Sequence, residues 1–260
     1  MIDTLTLLAP DGAYAGARCA GTRGDALVFV HGVGSTAAIW DRQLDAFAST
    51  HRCAAIELRG NGVPKPEPEP ATITRRGYAH DVLAVADARG IERFTIVGCS
   101  LGGVVAFELW GLAPERIAKM VIVGSFAAYP NARAYADGIA AAVRAAGDMP
   151  HFAHERAARL GLPPERLRET LEQMACKEVA SYLAATEATW TGDYRAVLPT
   201  IAVPTLVAYG ERDAIAPRAL SQEIADGIPG SRLVEIADAG HVANADAPAA
   251  FNAMLQEFLA

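Results

Sequence analysis

Three side chains of the kinds that attack carbonyls and move protons stand at separated points of the chain. Ser100 lies in Gly98-Cys99-Ser100-Leu101-Gly102, Asp213 in Gly210-Glu211-Arg212-Asp213, and His241 in Ala239-Gly240-His241. A serine hydroxyl is a weak nucleophile until a base takes its proton, and histidine serves as that base when a carboxylate holds its imidazole. The serine pentapeptide fits G-x-S-x-G, with the β-branched run Thr95-Ile96-Val97 before it and helical spacing after it. Alone, the pattern accommodates two readings: a nucleophile on a strained turn, or an ordinary glycine-rich passage from strand to helix. The first needs a histidine and an acid at corresponding places, and the order Ser100, Asp213, His241 supplies them. On such a turn the hydroxyl stands above the sheet at a helix N-terminus, where the Leu101 N–H is available to an oxyanion.

Other acids fit less well. The position after Met120-Val121-Ile122-Val123 holds Gly124-Ser125, and Asp238 is too close to His241 along the chain. A second oxyanion donor is expected from His31-Gly32-Val33-Gly34-Ser35, where flanking glycines let the Val33 N–H turn toward the serine. His31 has two readings, a ring that orients this loop or a base; hydrogen bonding within the loop suits it better.

The elements that must carry these groups alternate. Strand-like runs occur at Ala26–Val30, Cys53–Leu58, Phe94–Val97, Met120–Val123, Pro204–Tyr209 and Arg232–Ile236. Helical spacing intervenes through Ile39, Trp40, Leu44 and Phe47, then Tyr78, Val82, Val85 and Ala86, then Leu101, Val104, Val105, Leu109 and Leu112. A last helix carries Phe251, Met254, Leu255 and Phe258. This alternation predicts an α/β fold with a mostly parallel sheet flanked by helices, and an antiparallel edge hairpin in the first 22 residues. In a parallel sheet the loops bearing Ser100, Asp213 and His241 all leave carboxyl ends of strands, the edge at which such sheets bind ligands. Between about Ala127 and Val197 the strand signal stops, and helical runs such as Asn131–Ala146 and Pro164–Cys176 predict a helical insertion.

Composition narrows the class. The 260 residues are 52% hydrophobic and 20% charged, as in a globular chain, and the net charge of −7 argues against nucleic acid as partner. No basic leader or membrane-length apolar run is present, so a cytoplasmic protein without membrane association is expected. Cys19, Cys53, Cys99 and Cys176 lack CxxC spacing and read as free buried thiols. No ligand cluster or phosphate-cradling loop implies a metal or organic cofactor, so none is expected. Pro64-Lys65-Pro66-Glu67-Pro68-Glu69-Pro70 favours an extended spacer.

The succession HG-x-G, R-G-N-G, G-x-S-x-G, G-x-x-D and G-H resembles the α/β-hydrolase superfamily over nearly the whole chain. The resemblance implies a Ser100–His241–Asp213 triad, Val33 and Leu101 as oxyanion donors, a core of residues 1–126 and 198–260, and a helical cap at 127–197. Where the family often has D-x-R-G-H-G-x-S, this chain has Glu57-Leu58-Arg59-Gly60-Asn61-Gly62-Val63-Pro64, which leaves that loop's shape open. Serine at the elbow separates the chain from the dehalogenases and epoxide hydrolases of this fold, which carry aspartate there.

Within the superfamily, HGVGSTAAIWDRQL, LPTIAVPTLVAYGERDAIAP and AGHVANADAPAAFNAML are similar to 3-oxoadipate enol-lactonases. That likeness implies a serine hydrolase of a small ester or lactone, with an arginine of the cap meeting a substrate carboxylate. Arg133, Arg144, Arg156, Arg159, Arg166, Arg168 and Arg195 are the candidates. Trp190 and Tyr135, with Phe152, Met149 and Met174, either line an apolar substrate pocket or pack the cap. The superfamily also includes carbon–carbon bond hydrolases, acyl-homoserine lactonases, cofactor-free peroxidases and small-molecule receptors. Oligomeric state is not legible in the sequence.

Overall fold

In the computed structural model, residues 1–61, 66–160 and 164–260 are described, without the side chains of 158–160 and 164–165. Among these residues eight strands form one sheet in the order β1-β2-β4-β3-β5-β6-β7-β8. They are β1 (Asp3–Leu8), β2 (Tyr14–Ala20), β3 (Ala26–Val30), β4 (Arg52–Glu57), β5 (Phe94–Cys99), β6 (Ile117–Val123), β7 (Thr205–Gly210) and β8 (Arg232–Ile236). β1 and β2 form the antiparallel edge hairpin, β2 pairs antiparallel with β4, and every other pairing is parallel.

Strands β3 and β5 are buried along their whole length, which is why they read as continuous apolar runs and not as alternating ones. Alternate residues nevertheless serve opposite faces. Leu27, Phe29 and Val97 pack with Trp40, Leu44, Phe251 and Leu255 of α1 (Asp41–Phe47), the 3-10 turn before it, and α10 (Pro248–Leu259). Val28, Val30 and Ile96 pack on the other face with Val82, Val85, Val104 and Leu109 of α2 (Arg75–Ala88) and α3 (Leu101–Leu112). Burying one such Leu, Val or Phe side chain contributes about 1.5–3 kcal/mol. Trp40 anchors the first layer, its ring 5.1 Å from Phe29 and 5.9 Å from Phe251.

Between β6 and β7 the described residues form α4 (Ala132–Ala146), α5 (Met149–Leu160), α6 (Pro164–Ala175) and α7 (Val179–Trp190). The two ends of this stretch meet in a narrow neck, where Ala128 bridges Asp193 and the Tyr194 N–H donates to Ala127 O at 2.8 Å. Asn131 has φ 50°, so α4 begins one residue after the run read from sequence. The remaining helices are α8 (Arg218–Gly227) and the short α9 (Ala243–Asp246).

The loop after β4 has a shape that the sequence did not disclose. The Arg59 guanidinium is buried, donating to both oxygens of Asp81 and to Asp11. Asn61, also buried, donates through Nδ2 to the carbonyls of Leu58 and Arg59. Gly62 to Lys65, and with them the start of the proline-rich spacer, lie outside the described residues. The cysteines are free, yet Cys176 is exposed where a buried thiol was expected, because it follows the last turn of α6. Burial pushes the Cys53 thiol up to about 12. No described helix is long and apolar enough to cross a membrane.

Candidate active site

Ser100 joins β5 to α3 at φ 55° and ψ −115°, outside the regions that residues with a Cβ ordinarily adopt. The turn is held from several sides. Ser100 N donates to Val123 O at 2.9 Å, and Ser100 O accepts from Ser125 Oγ at 2.8 Å and Gly103 N at 2.9 Å. Gly102 is required by contact: a Cβ there would lie 2.1 Å from Val30 O. Leu101 opens α3, so its N–H has no helical carbonyl to bond.

His31 fixes the facing loop. Leu58 N donates to its Nε2 at 3.2 Å, which leaves the Nδ1 hydrogen for Gly32 O at 2.8 Å. Ser35 N donates to the same carbonyl at 3.2 Å. Because the peptide is planar and trans, pinning Gly32 O directs the Val33 N–H the opposite way. That N–H makes no hydrogen bond among the described residues. The loop also comes close to the serine, since a Cβ at Gly32 would sit 3.2 Å from Ser100 Cβ and 3.7 Å from its Oγ.

Asp213 and His241 are brought together as a hydrogen-bonded pair, Nδ1 lying 2.9 Å from Oδ2 and 3.1 Å from Oδ1. The carboxylate is fully buried, and Oδ1 also accepts the N–H groups of Ile215 and Ala216 at 2.9 and 2.8 Å. Gly124, the alternative acid position, has φ +51°, and a Cβ there would lie 3.0 Å from Asp213 Oδ2. A side chain at that position would therefore crowd the pair. Asp238 points away, to Arg212.

Ser100 and His241 share a small cavity of about 60 Å³ with Gly32, Val33, Arg156 and Trp190. A second, of about 180 Å³, shares Val33, Ser35, Ile39, Arg156, His241 and Val242 with the first and adds one face of α6. Trp190 thus reaches the serine's surroundings, while Tyr135 does not: it lines a separate cleft of about 520 Å³ between α4 and α5. The two rings touch, with centroids 4.7 Å apart.

Among the arginines that the sequence offered, Arg133 pairs with Glu187, Arg195 with Asp193, and Arg166 with Asp246 and Glu169. Arg144 and Arg168 are exposed, and the Arg159 side chain lies outside the described residues. Arg156 borders all three cavities, half-buried, with no ion pair among the described residues. The sequence could not single it out, nor Ser125, whose hydroxyl holds Ser100 O, nor Gln173 and Lys177, described below. The four-residue spacing of Gln173 and Lys177 is the one signal available, but a polar pair so spaced reads equally as a solvated helix face.

The family model described as alpha/beta hydrolase fold matches residues 25–248. The chain belongs to the α/β-hydrolase family. As an α/β hydrolase it is 32% identical over 253 residues to a protein assigned the name carbamate hydrolase RutD in Azorhizobium caulinodans, covering 90% of this chain and 91% of that one. It is 29% identical over 233 residues to 3-oxoadipate enol-lactonase 2 of Acinetobacter baylyi, covering 87% and 85%. The enol-lactonase of Burkholderia xenovorans LB400 superposes with a TM-score of 0.88 at 25% identity, over 98% of this chain and 99% of that one. The family and these named hydrolases identify the chain as a hydrolase enzyme, and the small-molecule class of substrate follows from the same family.

Proposed function

We propose that this α/β hydrolase cleaves a small ester or lactone bearing a carboxylate, through an acyl-enzyme on Ser100, with α4–α7 (residues 127–197) as a cap over residues 1–126 and 198–260. The pair of a buried Asp213 and a half-buried His241, opening on the cavity that holds Ser100, is the observation that carries this reading. Ser100 Oγ attacks the carbonyl carbon while His241 Nε2 takes its proton. The tetrahedral oxyanion meets the N–H groups of Val33 and Leu101. The ring or ester C–O bond then breaks, and His241 returns the proton to the leaving oxygen. Water, deprotonated by His241, attacks the acyl carbon and releases the acid and a restored Ser100 hydroxyl. Asp213 keeps the imidazole proton on Nδ1 throughout.

Arg156 supports the carboxylate. Arg156, half-buried beside the reacting groups, has no carboxylate partner among the described residues, and an anionic substrate would supply one. This favours an enol-lactone such as 3-oxoadipate enol-lactone. Trp190 would pack against it, while the position of Tyr135 suits cap packing. A carbamate is the second reading, favoured by the carbamate-hydrolase relative.

The test is kcat/KM of wild type, Ser100→Ala and Arg156→Met on a carboxylate-bearing enol-lactone, its methyl ester and a small carbamate. Ser100→Ala is expected to lose at least about a thousandfold on every substrate. Arg156→Met is expected to lose about thirtyfold on the acid and little on the methyl ester, as for a hydrogen bond to a charged group. Equal losses on both would remove the carboxylate from the proposal. Activity surviving in folded Ser100→Ala would remove the nucleophile.

A further inference from the structure

Helix α6 holds both catalytic loops from above. Arg166, Thr170, Gln173 and Met174 share one helical face and line the cavity beside Ser100. At the carboxyl end of that face, Gln173 Oε1 accepts the Ser35 hydroxyl at 2.8 Å. Lys177, buried just past the helix, donates from Nζ to Ser35 O at 2.9 Å and to Asn61 O at 2.6 Å. At the amino end, Arg166 pairs with Asp246 Oδ1 at 3.3 Å, and Asp246 Oδ2 accepts the N–H of Gly240, next to His241.

Ser35 is the residue through which the oxyanion loop is fixed. Its N–H is one of the two donors pinning Gly32 O, and that carbonyl sets the direction of the Val33 N–H. The loop is pressed tightly beneath the helix: Gly34 has φ +80°, and a Cβ on it would lie 2.9 Å from Met174 Cε and 3.4 Å from the Tyr182 ring. With its side chain and its carbonyl both held from the α6 segment, Ser35 follows that segment.

We propose that Gln173 and Lys177 are positioning residues for the oxyanion hole, acting through Ser35, so that the hole is complete only while α6 is seated. This rests on the reading of Ser100 as nucleophile and Val33 as donor. Any displacement of α6 would remove two partners of Ser35. The oxyanion donors are thereby preorganised while α6 is seated.

The test measures p-nitrophenyl acetate hydrolysis by wild type, Gln173→Leu, Gln173→Glu, Lys177→Met and Ser100→Ala, with thermal unfolding of each. Gln173→Leu and Lys177→Met are expected to lose about tenfold in kcat with KM unchanged within about twofold, the pattern of an interaction that counts only in the transition state. Gln173→Glu keeps an acceptor for the Ser35 hydroxyl and is expected to stay near wild type. Lys177→Met strips a donor from two carbonyls; if it does not fold, the Gln173 pair decides the matter. A folded Gln173→Leu with wild-type kcat, a loss confined to KM, or a Gln173→Glu as poor as Gln173→Leu would overturn the proposal. Inactive Ser100→Ala beside a wild-type-like Gln173→Leu sinks only the positioning role. Active Ser100→Ala sinks the nucleophile on which it rests.

Discussion

Asp213→Asn is the substitution for which the structure dictates the outcome most fully. Asparagine matches aspartate in shape, but its two ends differ. The Oδ1 site accepts two backbone N–H groups, from Ile215 at 2.9 Å and Ala216 at 2.8 Å, so the amide oxygen must occupy it. The NH2 group then takes the Oδ2 site, 2.9 Å from His241 Nδ1, and donates where the carboxylate accepted. The imidazole proton moves to Nε2, so the nitrogen that takes the serine proton in the proposed mechanism is already protonated. Turning the amide over would break both hydrogen bonds to the buried Oδ1 site at roughly 2 kcal/mol each, about 4 kcal/mol together. At about 1.4 kcal/mol per factor of ten, kcat should fall about a thousandfold while the fold is retained. Ester hydrolysis measures the loss, and nitrogen-15 NMR of the imidazole reads the tautomer directly. A folded Asp213→Asn that keeps kcat within about tenfold of wild type, or keeps its proton on Nδ1, would refute this reasoning.

Two further outcomes concern stability. Gly102→Ala places a methyl 2.1 Å from Val30 O, so α3 and β3 must part, and the urea midpoint should drop by the equivalent of about 2–4 kcal/mol; an unchanged midpoint would contradict the close approach. The hydrogen bond from Arg59 holds the Asp11 carboxyl below its usual range. In the folded protein Asp11 keeps its charge at acidities where the unfolded chain, at about 3.9, has begun to take up the proton. Its contribution to stability is therefore present above that value and lost as the pH falls through the lower folded one. Asp11→Asn should flatten the dependence of the urea midpoint on pH on the acid side of about pH 5, whereas slopes parallel to wild type would count against the pairing.

What could be read in advance followed the range of the forces involved. β3 and β8 were legible to the residue, because a strand's pattern is a local property. β6 starts at Ile117, three residues before the visible Met120, since Ala118 and Lys119 interrupt the apolar run while the pairing with β5 continues. Ser100, Asp213 and His241 stood out because each occupies a turn signature at the end of a strand. Arg156 did not, because arginines of identical local character surround it. Only the seating of α5 between α4 and α6, which brings Arg156 beside Ala214 and Ile215, separates it from Arg144 or Arg168. Gln173 and Lys177 were hidden for a related reason: their partner Ser35 lies about 140 positions away, and nothing local marks a polar residue as facing inward.

The neck at Ala128 and Asp193 has a consequence for descent. The chain leaves and rejoins the sheet at almost one point, so everything between behaves as a cassette with a single seam. Arg156, Gln173, Lys177 and Trp190 all belong to the cassette, while Ser100, Asp213 and His241 belong to the frame. A recombination at that seam would exchange, in one step, the residues proposed here to recognise substrate and to hold the loops around it. The frame with the proposed catalytic residues would stay as it is.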